Sequence, residues 1–113
     1  MATRILALSG EVGAGKSTLA RRLVARYGAR HISTHVLLSQ RLGSAAVEER
    51  GALQEAGERL DIETGGTWLF DELQSELLGS ATDSLMIVDA IRVKSQLDAL
   101  RQHYGRRITH LHL

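Results

Sequence analysis

The stretch RILALSGEVGAGKST, from Arg4 to Thr18, decides how the rest of the chain is read. Arg4–Ser9 is a short apolar run of the kind a parallel sheet buries on both faces. It stops at Gly10. From Lys16 to Tyr27 the residues Leu19, Leu23 and Tyr27 recur at every fourth position, with Ala20 and Val24 beside them, which is the stripe of an amphipathic helix. Gly28 is a natural stop for that helix. Between strand and helix, Gly10-Glu-Val-Gly-Ala-Gly-Lys-Ser17 fits the pattern G-x-x-x-x-G-K-S/T without a mismatch. Glycines allow a backbone to wrap closely around a small anion. The N–H groups of the loop and of the helix start then aim partial positive charge at it.

A strand, this loop and a helix in that order make the Walker A phosphate loop, and ATP is the expected ligand. Gly10, Glu11, Val12, Gly13, Ala14, Gly15, Lys16, Ser17 and Thr18 are the expected contacts. Lys16 reaches toward the β- and γ-phosphates, the Ser17 hydroxyl is a ligand for Mg²⁺, and Thr18 lies within reach of the α-phosphate. A second anchor is Asp89, which closes the apolar run Leu85-Met-Ile-Val-Asp89. An acid at the carboxyl end of a central strand falls near the loop and its metal. The same residue type also serves as a plain turn former after a strand.

Outward from these anchors, Arg30–Ser33 reads as a second short strand and His35–Leu42 as a short helix closed by Gly43. Glu48–Ile62 carries the stripe Leu53, Ala56, Leu60. Gly65-Gly66 interrupts it, and Thr67 is a fair N-cap for a helix over Trp68–Leu78. Leu85–Val88 is a buried strand, Lys94–Tyr104 a helix with Leu97, Leu100 and Tyr104 facing inward, and Arg107–Leu113 alternates as a last strand. Gly43–Ala46 and Ser80–Ser84 are the expected surface loops. Strands joined by helices favour an α/β fold, a parallel sheet with helices on both faces.

Composition narrows the function. The chain has 113 residues, enough for one domain, and 43% of them are apolar against 24% charged, as in a folded globular protein. A net charge of +1 makes no case for a nucleic-acid surface. The absence of cysteine excludes disulfides, thiolate metal sites and cysteine nucleophiles. No run of apolar residues is long enough to span a membrane, and no signal peptide is visible, so a cytoplasmic protein is expected. His110 and His112 share one strand face, but a metal there needs a third ligand that the sequence does not offer.

Two further stretches carry resemblances. Ile32-Ser-Thr-His-Val-Leu-Leu38 is similar to the start of the monophosphate-binding region of adenylate kinases, matching at Ile32, Ser33, Thr34, Leu37 and Leu38. It departs at His35 and Val36, where that family has glycine and an acid, and at Ser39, where its phosphate-binding arginine would fall. Arg50, Leu53-Gln54, Gly57, Arg59, Trp68, Asp89 and Arg92 resemble the acceptor region of phage-type deoxynucleoside monophosphate kinases. The resemblance implies a three-layer P-loop NTPase fold, mostly parallel, with strand order 2-3-1-4. It also implies catalytic roles for Lys16, Asp89 and Arg92, magnesium on Ser17 and Asp89, and acceptor contacts from Thr34, Arg50, Gln54, Trp68 and Arg92. Arg50 and Arg92 would clamp the acceptor phosphate, while Gln54 and Trp68 would face its base. Each residue has an ordinary alternative: Trp68 as core, Arg50 and Arg59 as a solvated charged face, Thr34 as a helix cap.

No acid follows the second strand, where a hydroxyl acceptor would want a base, and this tilts the acceptor toward a small molecule already phosphorylated. No N-K-x-D guanine motif is present. Kinases of the resembled type continue past the fourth strand with an arginine-bearing lid. The single domain over 1–113 is therefore expected to be truncated at its C-terminal end. Three alternatives to a complete kinase follow: a fragment of a larger kinase-containing protein, a homo-oligomer that completes its site across an unpaired last strand, or a regulatory or assembly module that binds ATP without turning it over. A kinase resembling dephospho-coenzyme A kinase is a further alternative for the acceptor.

Overall fold

The computed structural model describes residues 3–11, 13–42, 50–77 and 85–113, with backbone only at 42, 50–53 and 77. In chain order these form β1 (Arg4–Ser9), α1 (Lys16–Tyr27), β2 (Arg30–Ser33), α2 (Thr34–Leu42), α3 (Arg50–Thr64), α4 (Thr67–Leu77), β3 (Leu85–Asp89), α5 (Lys94–Tyr104) and β4 (Ile108–His112). The strands make one parallel sheet in the order β2-β3-β1-β4, as the resemblance implied. The two expected loops, 43–46 and 80–84, lie outside the described residues.

The period-two alternation of β1 sorts its side chains to two cores. Leu8 meets Ala20, Ala29 and Ile87 under α1, with Leu6, Leu19 and Leu23 packed alongside. Ile5 and Ala7 face the other way, into a larger core with Leu37, Leu38, Trp68, Leu69, Leu73, Met86, Val88 and Leu100. Leu69, Leu73 and Leu100 lose all contact with water, which is worth about 1.5–3 kcal/mol for each side chain. No helix among the described residues is long and apolar enough to cross a membrane.

Two local outcomes differ from the sequence reading. The Thr67 hydroxyl does not cap α4 but donates to the Thr64 carbonyl at 2.8 Å. The capping oxygen is that of Thr64, which accepts the N–H of Trp68 at 3.3 Å. A turn of only Gly65-Gly66 brings the last residue of α3 into that position. At the other end of the chain, Gly105–Arg107 forms a 3₁₀ turn, so β4 starts at Ile108 rather than at Arg107.

Parallel register brings the carboxyl ends of all four strands to one edge. Leu8 pairs with Asp89, Ser33 with Asp89, and Ser9 with His112. Chemistry built on the residues that end these strands therefore collects in one place, as open parallel sheets require.

Candidate functional site: a cleft over the phosphate loop

The site begins where β1 turns into α1. Gly13 and Gly15 take φ values of 87° and 101°, a region that side chains rarely enter. A Cβ on either would meet nothing within 4 Å, so the backbone of the loop is bare on its outer side. The Lys16 ammonium folds over the loop, donating to the carbonyls of Gly10 and of Glu11, the latter at 2.9 Å. Ser17 and Thr18 open α1 and are exposed. Bare backbone, helix start, ammonium and hydroxyl together fit a polyphosphate with its magnesium. Val12 lies outside the described residues.

A cleft of about 780 Å³ spreads from this loop across the carboxyl edge of the sheet, large enough for a nucleotide. Lys16, Thr34, Asp89 and Arg92 all line it, so the fold joins residues up to 76 positions apart in sequence. Asp89 is held by His31, whose Nε2 lies 3.1 Å from Asp89 Oδ2. The chain just beyond is tied to β1 by the N–H of Ile91, which donates to the Leu8 carbonyl at 2.7 Å. Arg92 is exposed at the cleft. Its own N–H donates to Gln96 Oε1 at 3.0 Å.

Two of the expected acceptor contacts lie outside the cleft lining, and a third lines it with its hydroxyl already engaged. Trp68 does not face a base: it is 2% exposed and its Nε1 donates to Asp61 Oδ1 at 2.7 Å. A large aromatic at the start of α4 gains more from the core than from solvent, and Asp61 supplies the partner its N–H needs. Gln54 is exposed on α3, donates to Glu58 one turn on at 3.3 Å, and is absent from the cleft lining. Thr34 lines the cleft but is buried, and its hydroxyl is engaged with Ala90. It donates to the Ala90 carbonyl at 2.9 Å and accepts the Ala90 N–H at 3.2 Å. Thr34 thereby fixes the turn after Asp89. Arg50 opens α3, and its side chain is outside the described residues.

Sequence reasoning missed the parts that hold the site. Asp61 Oδ1 also accepts from Gln96 Nε2 at 2.9 Å, so Trp68, Asp61, Gln96 and the Arg92 backbone form one chain of hydrogen bonds. Gln96 is 1% exposed in this network. In sequence it reads as an ordinary helix-surface glutamine in the first turn of α5. Ser9, His110 and His112 were missed as a group. The Ser9 hydroxyl lies 2.7 Å from His110 Nε2 and 2.8 Å from His112 Nδ1. Among the described residues no three His, Cys, Asp or Glu side chains converge as a metal site.

A parallel sheet in this strand order, with a glycine arch between β1 and α1 and an acid at the end of β3, defines a P-loop NTPase domain of the kinase-like type. The chain belongs to the AAA domain family, whose pattern matches residues 1–106. It is similar to a cytidylate kinase of Bartonella quintana (strain Toulouse), 34% identical over 78% of this chain and 42% of that protein. A cytidylate kinase of Rhodopseudomonas palustris (strain BisA53) is 33% identical over 78% of this chain and 43% of its own length. The chain thus spans less than half the length of these relatives. Together they make it a nucleotide-binding, kinase-like protein.

Proposed function

We propose that the chain binds Mg-ATP at Gly10–Thr18 and directs its γ-phosphoryl to a nucleoside monophosphate in the same cleft. The observation that carries this reading is that Lys16, Asp89 and Arg92 share one cleft. Lys16 and the loop amides hold the phosphates from the α1 side. Arg92 supplies a second cation at the same cleft, where it can orient an anionic acceptor. Ser17 and Asp89 are the residues that would hold magnesium, which neutralises phosphate charge when bound. His31 keeps the Asp89 carboxylate oriented through one oxygen and leaves the other available. An acceptor that is itself a phosphate needs positioning more than a strong base, and that suits a cleft whose carboxylates are Glu11 and Asp89. The cytidylate kinase relatives make CMP the first acceptor to test.

The experiment incubates the chain with Mg-ATP and a panel of NMPs and dNMPs and follows ADP release. Acceptor-dependent ADP is expected. Arg92→Ala should lose at least about tenfold of that turnover, a charge-assisted contact being worth about 1.5–3 kcal/mol, while ATP affinity stays. Lys16→Ala should abolish nucleotide binding. ATP binding with no acceptor-dependent ADP from any NMP would replace the kinase reading with that of a nucleotide-binding module.

A further inference from the structure

The carboxyl end of β4 contributes two imidazoles to the cleft that the phosphate loop does not require. His110 and His112 lie two apart on one strand and point to the same face. Ser9, the last residue before the loop, sits between them and bonds both rings. The arrangement depends on register, because β1 pairs Ala7 with His110 and Ser9 with His112. It also depends on Gly10: a Cβ there would come 2.5 Å from the Leu113 carbonyl oxygen. The N–H of Leu113 donates to the Ser9 carbonyl at 2.9 Å. The end of β4 is thus held against the first residue of the phosphate loop.

A single hydroxyl can donate only once. At least one of the two bonds is therefore a ring N–H donated to the Ser9 oxygen. Two imidazolium rings around one hydroxyl would repel, so the arrangement disfavours charging both. Burial, the positive charge of Arg101 on α5, and His112 together hold the His110 imidazole below its ordinary value. The other ionisable groups lining the cleft are Glu11, Lys16, His35, Asp89, Arg92 and Lys94. Free of ligand, the His110 ring stays neutral near neutral pH. An incoming phosphate reverses the balance, because it favours a charged ring by direct attraction.

We propose that Ser9, His110 and His112 form a proton-linked anion contact, in which one imidazole takes up a proton as a nucleotide phosphate enters the cleft. This rests on the nucleotide-binding reading of the phosphate loop and adds to it a second, titratable grip on the same ligand. Its ligand class is the phosphate chain of a nucleoside di- or triphosphate.

The test uses calorimetry with Mg-ADP in buffers of different ionisation heat, which counts protons taken up on binding. The unaltered chain is compared with His110→Gln/His112→Asn, whose amide groups mimic the bonded ring nitrogens but do not titrate. The unaltered chain is expected to take up a fraction of a proton more than the double variant at about pH 7. Its affinity advantage over the variant should grow as the pH falls, toward a limit of about tenfold below the free ring's own value if bound phosphate makes one imidazole about ten times more basic, and shrink as the pH rises. Should the double variant not fold, Ser9→Ala serves. It frees both rings from the shared hydroxyl, and is expected to alter the proton uptake counted per Mg-ADP bound. NMR titration of the imidazoles in the unaltered chain gives an independent readout: His110 or His112 should titrate at higher pH with Mg-ADP than without. Binding with equal proton uptake in all these proteins, and with unmoved imidazoles, would overturn the proposal and leave the phosphate-loop reading standing. No Mg-ADP binding by the unaltered chain would overturn both.

Discussion

Gly10 shows how much can hang on a single residue. Its φ of 135° is in the glycine region, and its α-hydrogen faces the backbone of Leu113 at a distance that leaves no room for a methyl group. Backbone cannot retreat as a flexible side chain would. Gly10→Ala is therefore expected to push the end of β4 off the loop and to destabilise the fold by about 1–3 kcal/mol, read as a lower midpoint in urea. His110, likewise a single residue, sets a pH response. Its folded-state value is lowered by burial, Arg101 and His112, so the unfolded chain binds a proton more readily. Its contribution to stability is then full above the ordinary imidazole value of about 6.5 and is lost as pH falls through the depressed folded value. The melting temperature of the unaltered chain should drop more steeply between about pH 7 and 5 than that of His110→Gln. Parallel curves would remove His110 from the account.

Between elements, the α3–α4 turn and the start of α5 behave as one unit. Gly66 has a φ of 82° and a Cβ there would stand 2.5 Å from the Ser95 carbonyl carbon. The turn and the helix start touch directly, and Asp61 and Gln96 join them through hydrogen bonds shared with Trp68. Because Gln96 also accepts the N–H of Arg92, the helices that build the larger core also set the position of an exposed arginine. Gln96→Leu keeps the volume but leaves the Arg92 N–H without this acceptor and Asp61 without one of its two donors. We expect a loss of about 1–3 kcal/mol in thermal or urea unfolding, and, if the proposed reaction holds, a weaker grip on the acceptor while ATP affinity stays.

For the molecule as a unit, the sheet is a small one with a helix on one face and a larger helical layer on the other, and its ligand cleft lies across the strand ends rather than inside either core. Binding there adds to the stability of the folded state by mass action. Mg-ATP at about a hundred times its dissociation constant should stabilise the chain by about 2.7 kcal/mol, seen as a rise in melting temperature that Lys16→Ala abolishes. Leu100, fully buried in the larger core, tests that core apart from the cleft. Leu100→Ala should cost about 2–5 kcal/mol and lower the melting temperature by a similar amount with and without nucleotide.

The strand–loop–helix unit and the element order are legible in the chain before any folding is known, because glycine spacing and apolar periodicity are local signals that need no partner. Parallel pairing followed from helices between strands, and the strand order from the resemblance. The use of individual polar side chains, by contrast, emerged only from packing. Trp68 was open to two readings until its indole found Asp61, and Thr34 until its hydroxyl found Ala90. The carboxamide of Gln96 and the hydroxyl of Ser9 carry no local mark of their work, since the Asp61 carboxylate and the His110 ring they meet lie 35 and 101 residues away in sequence. A polar group is placed by what satisfies its hydrogen bonds once water is excluded, and those neighbours exist only after the sheet has set its register.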